Sequence, residues 1–210
     1  MATPAGSRRL LTRAARVASI RRAAARTFAR GGYASTSMDD IAAEAGVSKL
    51  MLYRHFNSKQ ELYEAVLAEV RLRLDAIEHR PATLAGVTRE QALPEAAATL
   101  LAMIRVAREL PDAYRLLYRH AAHEPEFADL AGSIRARNAA KAEELLEVLL
   151  ADPALRRWAA RLVAVISDEA VLAWLDVGEP DLDEYVAGRL ALMLDALLGP
   201  LAVQAASRTR

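Results

Sequence analysis

The chain has 210 residues, 53% hydrophobic and 26% charged, which is enough apolar material for the ordered core of one or two domains and excludes intrinsic disorder. It has no cysteine, so disulfide frameworks, thiolate metal sites and cysteine nucleophiles are excluded together, and a reducing compartment is expected. The formal net charge of +1 hides a division: residues 1–65 carry 11 basic and 5 acidic side chains, and residues 66–210 carry 17 and 22. Opposite charge on two parts of a chain points to two tasks, with the basic part the candidate for a polyanion. Arginines on a solvated helix face are the plainer alternative.

Ala, Leu, Arg and Glu dominate while aromatic and β-branched residues are sparse, so the expected class is all-α. Apolar residues recur at helical spacing, and Gly and Pro divide the chain into about nine helical segments. The first spans roughly 9–30 and is stopped by Gly31 and Gly32. Short helices at about 38–45 and 49–56 precede a longer one at 59–79. Pro81, Gly86, Pro94, Pro111 and Pro125 punctuate the middle. Two long segments, 126–151 and 153–176, meet at Asp152-Pro153, a helix-start signal, and a last helix is expected over 181–198. No leader is expected, because residues 1–9 lack an apolar stretch. No membrane span is expected either, because Asp195 and Gly199-Pro200 interrupt the lipophilic stretch 190–206. The expected location is cytoplasmic.

Residues 36–57 carry the strongest signal. Ser37 followed three residues later by Asp40 is a capping box, which starts a helix at about Met38. Ile41, Ala42 and Ala45 give that helix an apolar face, and Gly46 can end it in a left-handed conformation. Ser48 then caps a second helix. Two short helices joined by so tight a glycine turn form a helix-turn-helix, which presents its second helix to the DNA major groove.

At about 100° per residue, Leu52 and Phe56 of the second helix share the core face with Val47 and meet Phe28 of the first segment. Leu50 and Arg54 then point away from the core, with Lys49, Met51 and Tyr53 on the flanks. An outward Leu and Met suit a groove, where apolar side chains touch thymine methyl groups; a minor packing contact is the alternative. Lys59 lies in a helix start that suits a phosphate. Tyr53 and His55 can lie against sugar and phosphate, with a core-edge histidine the alternative for His55. Arg8, Arg9 and Arg13 can add a basic arm or form a solvated tail.

Over about residues 14–66 the chain resembles the TetR family of bacterial transcriptional regulators. The likeness is carried by Arg26-Thr27-Phe28-Ala29-Arg30-Gly31-Gly32-Tyr33, Ser37 to Ala42, Ala45-Gly46-Val47-Ser48-Lys49, Leu52-Tyr53-Arg54-His55-Phe56 and Ser58-Lys59-Gln60-Glu61-Leu62. The resemblance implies a three-helix DNA-binding head, here residues 12–72, and a helical ligand-binding and dimerisation body, here 73–210. It implies backbone-phosphate contacts at Ser37, Tyr53, His55 and Lys59, and base or adjoining contacts at Ser48, Lys49 and Leu50. The sequence departs at Leu50 and Met51, where the family more often has a small residue or proline followed by threonine.

Residues 80–210 contain no phosphate loop, H-E-x-x-H or G-x-S-x-G motif, which argues against a helical enzyme. His120, His123 and Glu124 are the nearest approach to a metal cluster, but without a further ligand no metal and no cofactor are expected. Met103, Tyr114, Tyr118, Phe127, Trp158 and Trp174 are the bulky groups available to line a ligand cavity, or else they are plain core. In the last helix Leu182, Tyr185, Val186, Leu190, Met193 and Leu197 form an apolar stripe beside Arg189, the expected homodimer interface, with burial inside one subunit the alternative. The expected function is a homodimeric repressor on a near-palindromic double-stranded operator, released by a small apolar or amphipathic effector. An activator or a ligandless regulator with the same head is the alternative.

Overall fold

Helix α1 (Arg13–Ser35) is capped by Thr12, whose hydroxyl accepts from the Ala15 N–H. It runs regularly to Gly32, which takes φ 76° and kinks the helix instead of ending it. One more turn follows, where the sequence predicts a stop. Helices α2 (Met38–Ala45), α3 (Lys49–Tyr53) and α4 (Lys59–Glu78) come next, α3 being shorter than expected. The computed structural model describes residues 12–78, 89–147 and 149–208, so Arg8 and Arg9 lie outside the described residues. Among the described residues every regular element is helical.

The chain divides into two units after Val66, within α4 and ahead of the boundary expected at residue 72. The first unit closes on Ile20, Phe28, Ile41, Leu52, Leu62 and Tyr63, all fully buried. Phe28 and Tyr63 meet edge-on with ring centroids 5.0 Å apart, and Tyr33 meets Tyr63 at 5.1 Å, the geometry that aromatic quadrupoles favour.

The second unit contains α5 (Arg89–Glu109), α6 (Pro111–Arg115), α7 (Ala128–Leu146), α8 (Pro153–Val177) and α9 (Asp183–Arg208). Between α6 and α7 the chain makes one π-helical turn, Leu116–His120, and two 3₁₀ turns. Asp152 caps α8 as expected, accepting from the N–H groups of Ala154 and Leu155. α5 packs on α9, and α7 on α8. One apolar cluster joins Ala142, Leu146, Leu150, Ala159, Ala160 and Leu198.

α9 continues through Gly199-Pro200 to Arg208, whereas the sequence predicts an end at 198. Proline's fixed φ suits a helix and removes only one backbone donor, while Leu194 and Leu198 hold the preceding turns in the core. Among the described residues no helix is long and apolar enough to cross a membrane.

Candidate nucleic-acid interface

The capping box forms as the spacing predicts: the Asp40 N–H donates to Ser37 Oγ at 3.1 Å and the Ser37 N–H donates to Asp40 Oδ2 at 2.9 Å. The Ser37 hydroxyl, donating to Asp40 Oδ2 at 2.6 Å, and after it the Ser37 N–H hold the Asp40 carboxyl below the usual carboxylate range. At the other end of α2, Gly46 has φ 64° and ψ 32°, its N–H donates to Ala43 O, and the Val47 N–H donates to Ala42 O. This pairing of two orphan carbonyls turns the chain through a right-handed helix's natural exit. A Cβ at Gly46 would meet open space, so glycine is required there for its dihedral and not for room. Ser48 Oγ accepts from the Met51 N–H and starts α3.

α3 therefore stands on its core face through Leu52, fully buried, with Phe56 beneath the following turn. Leu50 is 79% exposed and Tyr53 41%; Ser48, Lys49 and Arg54 are exposed, and Met51 and His55 half-buried. Ser37 is exposed at the head of α2. Ser37, Ser48, Lys49, Leu50, Tyr53 and Arg54 thus present their side chains to solvent, while Met51 and His55 are only partly available.

Two lysines are engaged within the head. Lys49 Nζ lies 2.9 Å from Asp39 Oδ2, and the bond raises the lysine's pKa above its ordinary value. Lys59 turns back onto α1, donating to Tyr33 O at 2.8 Å and Ala34 O at 3.4 Å, with its ammonium 4.3 Å from the Tyr33 ring centroid. α1 has no basic residue in its own last turn, and Lys59 supplies the cation that those carbonyls favour. The start of α4, read from the sequence as a phosphate seat, is also occupied. Ser58 Oγ accepts from the Glu61 N–H, and Glu61 Oε2 accepts from the Asn57 N–H and side-chain amide. Lys59 is thus a brace of the head as this structure stands. Lys59→Ala is expected to lower head stability by about 1–2 kcal/mol, the worth of a charged hydrogen bond that is partly solvated, as checked by thermal unfolding.

Arg26 and Arg30 hold Glu44 at 2.8 and 2.6 Å, bracing α1 against α2. Arg30 first and Arg26 second keep the Glu44 carboxyl below its ordinary range. Sequence reading missed this brace, although three charges at fixed positions on adjacent helices were visible.

Residues 20–66 match the family described as bacterial regulatory proteins, tetR family. The HTH-type transcriptional activator FasR of Mycolicibacterium smegmatis is 32% identical over 179 residues, covering 79% of this chain and 75% of FasR. The chain belongs to the TetR family of bacterial transcriptional regulators. It is also 48% identical over 50 residues to the HTH-type transcriptional regulator TtgR of Pseudomonas putida, which is 24% of each protein. The crystal structure of a TetR-like regulator from Rhodococcus sp. RHA1 superposes with a TM-score of 0.69 at 26% identity, over 90% of this chain and 100% of that one. The protein is accordingly a DNA-binding transcriptional regulator.

The body of this TetR-family protein redistributes the other expected residues. Tyr114 and Phe127 are fully buried, and Met103 and Tyr118 half-buried. Trp158 does not line the interior: it is 53% exposed on the outer face of α8, because the buried face of that turn is taken by Ala159 and Ala160. Trp174 is committed to a clamp. Its Nε1 donates to Asp183 Oδ1 at 2.7 Å, and a Cβ on Gly178 would lie 2.2 Å from its ring, so the indole fills the space that this glycine leaves. His123 Nδ1 lies 2.9 Å from Arg119 O, and among the described residues no three His, Asp or Glu side chains converge as metal ligands.

In α9 the stripe splits into two faces. Leu190, expected at the dimer interface, is buried within the subunit, as are Ala187, Ala191 and Leu194. The stripe is wider than one contact line, and its inner edge is covered within the subunit, where α5 packs on α9. Val186 is half-buried, Arg189 is exposed, and Leu182, Tyr185, Leu192, Met193 and Leu197 face outward.

Proposed function

We propose that the protein is an effector-responsive repressor that binds a near-palindromic operator as a homodimer, with the outer face of α3 reading the major groove. The observation that carries this reading is the division of α3. Leu52 is sunk in the core while Leu50, Lys49, Tyr53 and Arg54 stand clear of it, two cations and two apolar groups on one narrow surface. Homodimerisation is supported by the outward apolar groups of α8 and α9, where Trp158, Val165, Tyr185 and Met193 are each at least half exposed. A site on bacterial DNA implies a cytoplasmic protein. An effector would act by preferring one of two arrangements of the paired subunits, and only that preference is energetically required.

Sequencing DNA selected by the purified protein tests the reading. Each half-site is expected to hold a thymine contacted by Leu50, flanked by a guanine within reach of Arg54 or Lys49. Changing that thymine to uracil removes one methyl group and should cost about 1 kcal/mol with the wild type and much less with Leu50→Ala. Simple additivity of the two losses would mean that Leu50 does not touch the methyl.

Asp39 offers a second check. It holds Lys49 by an exposed pair, and DNA would have to displace or share that carboxylate. Asp39→Asn is therefore expected to tighten binding a few-fold at low salt and to steepen its salt dependence, measured by fluorescence anisotropy. FasR bears the name of an activator, which favours activation as the second reading. Transcription in vitro from the selected operator, with and without the protein, decides the sign.

A further inference from the structure

Residues 1–65 include five acids, and four of them serve the frame of the head. Asp40 closes the capping box with Ser37, and Glu44 is held by Arg26 and Arg30. Glu61 accepts from the Asn57 N–H and side-chain amide, and Glu64 accepts from the Gln60 amide at 2.9 Å. The fifth, Asp39, is 62% exposed and bonds instead to Lys49, the first residue of α3. A carboxylate beside a face that meets phosphates weakens binding by repulsion, which one exposed ion pair only partly offsets. Nor does the first turn of α2 depend on it, because Asp40 already supplies an anion there.

The pair leaves a definite pattern of hydrogen-bonding groups. Lys49 Nζ lies 2.9 Å from Asp39 Oδ2, which occupies one ammonium N–H, leaves two, and leaves Oδ1 as an acceptor. From the lysine to the aspartate the order is donor, donor, acceptor. In the major groove a G·C pair offers the complement in the same order: guanine N7 and O6 accept, and cytosine N4 donates. An A·T pair in either direction offers acceptor, donor, acceptor, which sets donor against donor and acceptor against acceptor. A C·G pair reverses the order. The start of the second helix of a helix-turn-helix is also where side chains reach base edges.

We propose that Asp39 is a specificity-determining residue of this regulator, and that the Asp39–Lys49 pair reads one G·C base pair in each half-site as a unit, Lys49 donating to guanine and Asp39 accepting from the N4 amino group of its cytosine. This rests on the reading of α3 as the groove-facing helix; it assigns the guanine expected there to Lys49 and the choice of its partner base to Asp39. DNA then shares the carboxylate instead of displacing it. The tighter low-salt binding expected of Asp39→Asn is a gain for all DNA alike, so what Asp39 contributes is selectivity.

Two duplexes test it: the selected operator, and a twin in which that cytosine is replaced by 2-pyrimidinone, which lacks the amino group. The weaker base pairing of the twin is common to every protein compared and cancels in the ratio. In fluorescence anisotropy the change is expected to cost the wild type about tenfold more affinity than it costs Asp39→Ala, the worth of a hydrogen bond to a charged acceptor. DNA selected by Asp39→Ala should keep the thymine of Leu50 but accept A·T as readily as G·C, within about threefold, beside it. The proposal is overturned if the wild type specifies no G·C pair beside that thymine, if both proteins lose equally on the twin, or if Asp39→Ala selects the same pair as strictly as the wild type. A lower melting temperature of Asp39→Ala with an unchanged selected sequence would likewise overturn it and leave Asp39 a helix-end charge. If Leu50→Ala changes the selected sequence and Asp39→Ala does not, α3 reads DNA and only the role of Asp39 falls; if the wild type selects no sequence at all, the reading of α3 falls with it.

Discussion

Met193→Glu is expected to yield a folded monomer that has lost its operator. Met193 is 66% exposed on the outer face of α9, so a carboxylate there is solvated in the isolated subunit and leaves its fold intact, with an unchanged helical circular dichroism signal. In the proposed homodimer the same carboxylate is buried opposite an apolar face without a cation, at a cost of roughly 3–5 kcal/mol. Light scattering should report the monomer mass. Losing the second half-site forfeits the effective concentration that pairing provides, so operator affinity should fall roughly 10²- to 10⁴-fold. Leu190→Glu makes the contrast: Leu190 is buried within the subunit, and its replacement should unfold the body instead of merely separating two subunits. A Met193→Glu protein that stays dimeric would move the interface elsewhere.

Arg108→Met is expected to destabilise the body by about 2–4 kcal/mol, the largest single loss from a polar contact there. Arg108 binds Asp183 with both ends of its guanidinium, Nε to Oδ2 and Nη2 to Oδ1, each at 2.7 Å, and Nη2 also donates to Gly178 O at 3.2 Å. Trp174 Nε1 completes the shell of Asp183, so one arginine ties α5 to the turn between α8 and α9. The two side chains are only 22% and 13% exposed, and without the cation Asp183 keeps a charge that the indole alone cannot balance. Arg108 first and Trp174 after it hold the Asp183 carboxyl below its ordinary range. A group whose pKa is depressed on folding lends stability above its unfolded pKa and withdraws it as pH falls through the folded one. Wild-type stability should therefore decline as pH drops below about 4, and the part of that decline due to Asp183 should be absent from Arg108→Met in denaturant titrations.

The head was legible because its signals are local. Ser37 with Asp40, Gly46 and Ser48 each act on backbone groups within four residues, where spacing along the chain is spacing in space. The outward direction of Leu50 follows from Leu52 and Phe56 alone, since a helix fixes the angle between neighbours. The same reasoning gives Asp152 as a cap and the all-helical class from composition.

What depends on a partner far along the chain was decided only by packing. Periodicity marks Leu190 and Met193 as one stripe, but Leu190 is buried within the subunit and Met193 is exposed, and nothing in α9 itself records which of its faces the other helices will cover. Lys59 reads as a free cation at a helix start until the end of α1, 25 and 26 residues earlier, is folded against it. Trp158 and Trp174 are the same residue type on the same helix, yet one faces solvent and the other is fixed by Asp183 and Gly178. Sequence determined which backbone groups were capped and which faces were apolar, because those are short-range properties of the chain. The tertiary structure decided which face is covered and which charge is paired, because burial and ion pairing belong to the space between helices.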